Sequence, residues 1–178
     1  MKTFQLMKAN RQSGFTLMEL MVTLAIITIT MTIAVPNMST FIKNDRLTSS
    51  SNALLSDLLL AKSKAAELNQ PAIVCASNNA TSCTDGDYQD GWIVAVDTDS
   101  SGDVNDGDEL IKVQPAIAGD IRYVLDPAGM STIVFDTRGF TPNSIGTIST
   151  CDTRGNSYAK TLTLNRLGRA SRGATPAC

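Results

Sequence analysis

Gly14-Phe15-Thr16-Leu17-Met18-Glu19-Leu20 opens an almost uninterrupted apolar run that continues to Val35, and the rest of the chain is organised around it. As a helix, Phe15 to Val35 is about 30 Å long, enough to cross a bilayer. Its bulky and β-branched residues (Leu17, Leu20, Val22, Leu24, Ile26, Ile27, Ile29, Ile33) suit lipid better than the core of so small a domain. Residues 1–14 in front of it are polar and basic, with Lys2, Lys8 and Arg11, charges that stay in the cytoplasm and send the rest of the chain outward. No small-residue cleavage site follows the run, which argues against an ordinary secretory signal. Glu19 interrupts the apolar stretch at a cost of about 2.5–3.5 kcal/mol on insertion scales, so this carboxylate is expected to have a partner or a function.

Working outward, the 178 residues suffice for one domain plus a helical stalk. After Pro36 an amphipathic helix is predicted over 37–70. Its apolar side is Phe41, Leu47, Leu54, Leu55, Leu58, Leu59, Ala65, Ala66 and Leu68, and Asn69-Gln70-Pro71 is its stop. Beyond Pro71 the pattern turns to short strands. They are predicted at Ala72–Ala76, Trp92–Val96, Glu109–Val113, Ile121–Leu125, Thr132–Phe135 and Lys160–Leu164, with a weaker one near Thr147–Thr150. One helix followed by strands implies an α+β domain over 71–178, with one or two antiparallel sheets packed on the helix.

Composition removes whole classes of chemistry. There is no histidine, so Ser-His-Asp and Cys-His catalysis and histidine-containing zinc sites are absent, and no enzyme is expected. The four cysteines, Cys75, Cys83, Cys151 and Cys178, form no Cys-x-x-Cys pair. An even count behind an export signal suggests two disulfides made in an oxidising compartment. Three pairings are open; we favour Cys75–Cys83, whose loop is short, and Cys151–Cys178, which pins the C-terminus. Charge is segregated. From Asp85 to Asp136 acidic residues greatly outnumber Lys112 and Arg122, whereas after Cys151 Arg154, Lys160, Arg166, Arg169 and Arg172 face only Asp152. That asymmetry suits an anionic partner as well as a plain solvated face.

Two constellations carry possible binding chemistry. The turn from Asp97 to Asp108 spaces oxygen ligands as a calcium loop does, with Asp97, Asp99, Ser101, Asp103 and Asp108 as candidate ligands and Gly102 at the sixth place. It ends in aspartate where an EF-hand has glutamate, and strands flank it, so an exposed hairpin is the competing reading. The five late cations can contact phosphates together if the closing disulfide folds them onto one face. Tyr88, Trp92, Tyr123 and Tyr158 are too scattered for a stacking platform and read as core.

The Gly14–Leu20 motif, with its basic leader and apolar run, resembles the type IV prepilin processing site. The resemblance implies that a prepilin peptidase cuts after Gly14 and methylates Phe15. It also implies that Glu19 pairs with the terminal amine of a neighbouring pilin during assembly, and that Pro36 bends the helix. Cys75 and Cys83 around a polar loop, Gly91-Trp92-Ile93-Val94 and Glu109-Leu110-Ile111 resemble the FimT/FimU minor pilins and the H pseudopilin of type II secretion. Cys151-Asp152-Thr153-Arg154-Gly155 and Leu162–Arg169 strengthen the FimT/FimU side. The implied organisation is a leader over 1–14, a membrane and assembly half-helix over 15–36, and a globular domain outside the cytoplasm. The chain is then expected in the inner membrane before assembly and in a surface pilus afterwards. Some FimT-type pilins bind DNA for natural transformation through a Gly-Arg-x-Arg motif, which implies double-stranded DNA as a partner. Here Gly168 and Arg169 match, but Arg172 stands one position late.

Overall fold

The computed structural model describes residues 14–127, 130–173, 175, 176 and 178. Lys2, Lys8, Arg11 and the rest of the expected leader up to residue 13 lie outside the described residues. Two compact units are present, Met1–Ile42 and Lys43–Cys178, so all but residues 37–42 of the expected amphipathic helix belongs to the same unit as the strands.

From Leu17 onward the first unit is helix. Helix α1 runs from Leu17 to Leu68. Thr16 caps it: the Glu19 amide donates to Thr16 Oγ1 at 3.2 Å, the Thr-x-x-Glu spacing of a capping box. The span from Leu17 has a mean hydropathy of 2.1 with none of that window buried, so it is long and apolar enough to cross a membrane. The threonines inside it do not disturb that property. Thr23, Thr28, Thr30 and Thr32 donate their hydroxyls to the carbonyls of Leu20, Leu24, Ile26 and Ile29 at 2.7–3.0 Å, leaving no hydroxyl to be hydrated. The helix is continuous through position 36, where proline removes one intrahelical donor.

In the second unit the remainder of α1 buries Leu47, Leu54, Leu58, Ala61 and Ala65, a stripe with steps of seven, four, three and four. This corrects the predicted apolar side. Leu59 and Ala66 are exposed because each is one residue out of phase with that stripe, and Leu68 is exposed at the last position of the helix. Phe41 is also exposed, and lies in the first unit. Asn69 ends the helix in a left-handed conformation, φ 53°.

Eight strands follow among the described residues: β1 Ala72–Ala76, β2 Gly91–Val96, β3 Glu109–Pro115, β4 Arg122–Asp126, β5 Thr132–Phe135, β6 Gly146–Cys151, β7 Lys160–Leu164 and β8 Ala170–Arg172. They build two antiparallel sheets, ordered β3-β2-β1-β5 and β4-β6-β7-β8. Strands β1 and β2 are buried on both faces. Val74, Trp92, Val94 and Phe135 join the helix stripe and Tyr123, Ile148, Leu162 and Leu164 of the second sheet in the main core. Ile73, Cys75, Ile93 and Ala95 form a smaller cluster with Val104, which reaches in from the β2–β3 loop. Gly91 lets strands meet there: at φ 115° a side chain would strike the carbonyls of Gln114 and Ser77. The disulfides are Cys75–Cys83 and Cys151–Cys178. The second joins the end of β6 to the C-terminal residue, closing a loop worth about 2–4 kcal/mol.

Candidate functional sites

At the N-terminal motif, Gly14 has open space around it, and a Cβ there would meet nothing within 4 Å. Its φ is not among the positive ones. Among the described residues nothing packs against position 14 closely enough to demand glycine there. Phe15 is exposed beside it, and Glu19 sits in the first turn of α1.

The acidic turn gathers Asp97, Asp99 and Asp108, whose carboxylate oxygens lie within 4.8 Å of one another. Ser101 joins them through its amide, which donates to Asp97 Oδ1 and Asp99 Oδ1 at 3.0 Å each. Asp103 does not belong to this group of three; its Oδ1 accepts from the amide of Val104 at 2.8 Å. Backbone donors also engage these carboxylates. Gly102 N–H reaches Asp97 Oδ2, and the amides of Thr98 and Asn105 reach the two oxygens of Asp108, at 2.8–2.9 Å. Burial pushes the Asp97 carboxyl above its ordinary range, helped by Asp99 and Asp108 and opposed by the Gly102 and Ser101 amides. Asp99 moves the other way, held low by the hydroxyl and amide of Ser101 and by Asn105. The loop closes as an Asp-rich hairpin tied by its own amides.

The five late cations do not form one face. Arg154 is engaged with Asp152, through Nε at 2.8 Å and Nη2 at 2.7 Å, and its guanidinium lies 4.1 Å from the Tyr158 ring centroid. Burial alone would raise the Asp152 carboxyl, but bonds and charge from Arg154, with the charge of Lys43, hold it below the usual carboxylate range. Lys160 opens β7. Arg172, on β8, stands opposite Leu162 in the β7–β8 register and donates to Asn52 Oδ1 on α1. Arg166 and Arg169 lie at the opposite end of β7, in the turn to β8. The Asn165 side chain folds that turn by accepting from the amides of Leu167 and Arg169 at 3.0 and 3.1 Å.

That turn is pressed onto a second one. Thr141 donates its amide to Arg166 O and its hydroxyl to Asn165 O, at 3.0 and 2.7 Å. Gly168 has φ 64°, and a Cβ there would drive into the Gly139 carbonyl. Lys62 Nζ donates to Leu167 O at 2.8 Å. Arg138, 73% exposed at its side chain, thereby joins the Arg166–Arg169 end. Sequence reading missed Arg138 and Lys62, since nothing in the chain marks two distant glycine turns as neighbours.

It also missed Asp57. This carboxylate is fully buried on α1, accepting from Trp92 Nε1 at 2.9 Å and pairing with Lys112 Nζ at 2.6 Å. Trp92 packs edge-on to Tyr123 with ring centroids 5.8 Å apart, and Tyr88 lies 6.1 Å from Trp92. Burial raises the phenols of Tyr88 and Tyr123, which donate to the carbonyls of Val74 and Ser50. These three rings are core. Tyr158 is exposed, stacked against Arg154.

Residues 50–168 match the family described as type II transport protein GspH, and residues 9–35 match the prokaryotic N-terminal methylation motif. No curated protein matches the chain. Among solved structures, the type IV minor pilin FimU of Pseudomonas aeruginosa is similar with a TM-score of 0.59 at 17% identity, over 76% of this chain and 93% of that one. The minor pseudopilin EpsH of the Vibrio cholerae type II secretion system is similar with a TM-score of 0.50 at 13% identity, over 76% of this chain and 98% of that one. The type IV pilin-like fold is common to all three.

Proposed function

The chain belongs to the family of type II transport protein GspH, and from that premise we propose that it is a minor pilin entering the tip complex that starts a type IV pilus. The carrying observation is the match of residues 9–35 to the prokaryotic N-terminal methylation motif, which supports a peptidase cutting between Gly14 and Phe15. After cleavage the exposed apolar helix remains in the inner membrane until it packs against other pilins, and Glu19 meets the terminal amine of a neighbour. Buried in that contact, the pair recovers what insertion of the carboxylate costs. The globular domain then works outside the cytoplasm by recognition. Deleting the gene should reduce surface pili and twitching. Intact pili with a defect in protein export would replace this reading with that of a secretion pseudopilin.

DNA is a second ligand we assign to the domain, and the stacked turns favour it. Arg166, Arg169 and Arg138 stand together at one end, on two turns fixed by Thr141, Gly168 and Lys62. Cations carried on adjoining turns suit a phosphate backbone read without sequence preference.

A further inference from the structure

Strand β3 ends its sheet: in the order β3-β2-β1-β5 it pairs with β2 alone, and its far edge carries no strand among the described residues. Cross-strand partners share a face, so the registers trace two rows over the side of this sheet that carries the smaller apolar cluster. One row is Val134, Ile73, Ala95 and Leu110; the other is Thr132, Cys75, Ile93 and Val113. On β1 and β2 both rows are fully buried, packed with Val104 of the β2–β3 loop and with Cys83. On β3 the cover stops, and Leu110 and Val113 are 43% and 39% exposed.

A bulge brings these two side chains to one side. Residues 110 and 113 are an odd step apart, which in a regular strand puts them on opposite faces. The register slips between Lys112, opposite Val94, and Leu110, opposite Ala95, so Ile111 is the extra residue. Lys112 then points inward and ties the strand to Asp57 of α1 at 2.6 Å. Charge indicates what the edge would accept. Residues 97–111 hold the carboxylates Asp97, Asp99, Asp103, Asp106, Asp108 and Glu109, and no lysine or arginine. Of these, Asp99, Asp103, Asp106 and Glu109 are exposed, on the loop that leads into β3 and at the strand's first residue. A bulged and acidic edge turns away most strands, so one that pairs here has to bring the opposite charge.

We propose that the free edge of β3 takes up an extended segment of another protein as a fifth strand of this sheet, with apolar side chains over Leu110 and Val113 and lysine or arginine at its C-terminal end. Every pair in the sheet is antiparallel, and an antiparallel arrival sets that end beside Asp106 and Glu109. Main-chain hydrogen bonds supply affinity, the two apolar rows set the register, and the carboxylates select the partner. This surface is separate from the Arg166–Arg169 turn and does not depend on DNA binding there.

The test is amide hydrogen exchange, read by mass spectrometry on the full chain in nonionic detergent. The probe is the capped peptide Thr-Val-Thr-Val-Thr-Lys-Lys, and the control is the same peptide ending in Glu-Glu. The lysine peptide should slow exchange across Leu110–Val113 severalfold, and the glutamate peptide should leave it unchanged. Leu110→Thr with Val113→Thr keeps good strand formers and should weaken binding about tenfold. Asp106→Asn with Glu109→Gln, which alters exposed side chains only, should weaken it as well and flatten its dependence on salt. Urea unfolding followed by Trp92 fluorescence should give both variants midpoints close to the parent's. No slowing at β3 by the lysine peptide, or equal slowing by the glutamate peptide, overturns the proposal. So does slowing that grows with protein concentration alone, since the occupant would then be a second copy of this chain.

Discussion

Replacing Asp57 with alanine would strand two donors at once, the single N–H of the Trp92 indole and the ammonium of Lys112. The indole is fully buried, whereas Lys112 is 39% exposed and partly screened by water. The loss should therefore fall at the lower end of the range of about 3–5 kcal/mol for breaking a buried pair. Asp57→Asn keeps an acceptor for the indole and loses only the charge facing Lys112, so about 1–3 kcal/mol is expected. Trp92 is the only tryptophan, so its fluorescence follows urea unfolding of the full chain at the site itself. Equal midpoints for Asp57→Ala and the parent would remove this network from the account of stability. Asp57 was legible in part. It lies three residues after Leu54 and four before Ala61, on the stripe that the structure buries. A charged residue in an amphipathic pattern reads as solvated ground, and only the pairing partners brought by β2 and β3 reverse that reading. The cations of Arg154 and Arg172 misled in the opposite sense. Both looked available, yet Asp152 and Asn52 engage them, and neither contact follows from residue type.

At the scale of the element, helix α1 carries two solvents along one rod of sequence. Its first part returns threonine hydroxyls to its own carbonyls, and its later part puts a narrow stripe into the main core. The proposed assembly role separates two steps on this helix. Gly14→Val should block processing, because the added branched side chain alters the scissile bond's approach while touching nothing in the chain itself. Glu19→Ala should leave processing intact, or ease insertion, and reduce recovery in sheared pili severalfold as the carboxylate loses its partner. Mass spectrometry of the N-terminus reads the first step and immunoblotting of pili the second. Cleavage of Gly14→Val at the parental rate, or wild-type incorporation of Glu19→Ala, would refute the respective role. Seven of the described strands were readable, β6 (near Thr147–Thr150) least clearly, because short runs of β-formers are separated by Gly, Asn, Asp and Pro clusters. Strand β8 was not, since Ala170–Arg172 is only three residues and pairs only through β7. The helix stripe was drawn too wide because apolar residues one step out of phase, such as Leu59, lie on exposed ground.

For the whole molecule, charge decides where a nucleic acid can land. The chain carries a formal charge of −2, and removing Lys2, Lys8 and Arg11 with the leader makes it more acidic still. Duplex DNA is therefore repelled on average and held only where cations are concentrated and free. Of the five late cations, Arg154 is paired with Asp152, Arg172 is tied to Asn52 and Lys160 stands at the other end of β7, so the weight of the proposal moves to Arg166 and Arg169 with Arg138 on the adjoining turn. Arg138 faces Asp136 across 3.1 Å, with its own side chain exposed and the carboxylate half-buried, so a phosphate competes with Asp136 for the guanidinium. Each phosphate contact releases condensed counterions and contributes about 0.9 to the slope of log affinity against log salt. Arg166→Ala with Arg169→Ala should thus flatten that slope by about two units and weaken binding at low salt, equally for unrelated duplex sequences. Arg154→Ala should lower stability through Asp152 and leave the slope within error of the parent. Fluorescence anisotropy of labelled duplexes, from about 50 to 200 mM salt, covers the range in which these slopes separate. A double variant with the parental slope would sink the turn as the DNA site. A slope that flattens instead on Arg154→Ala would return the site to the disulfide-closed end of β7.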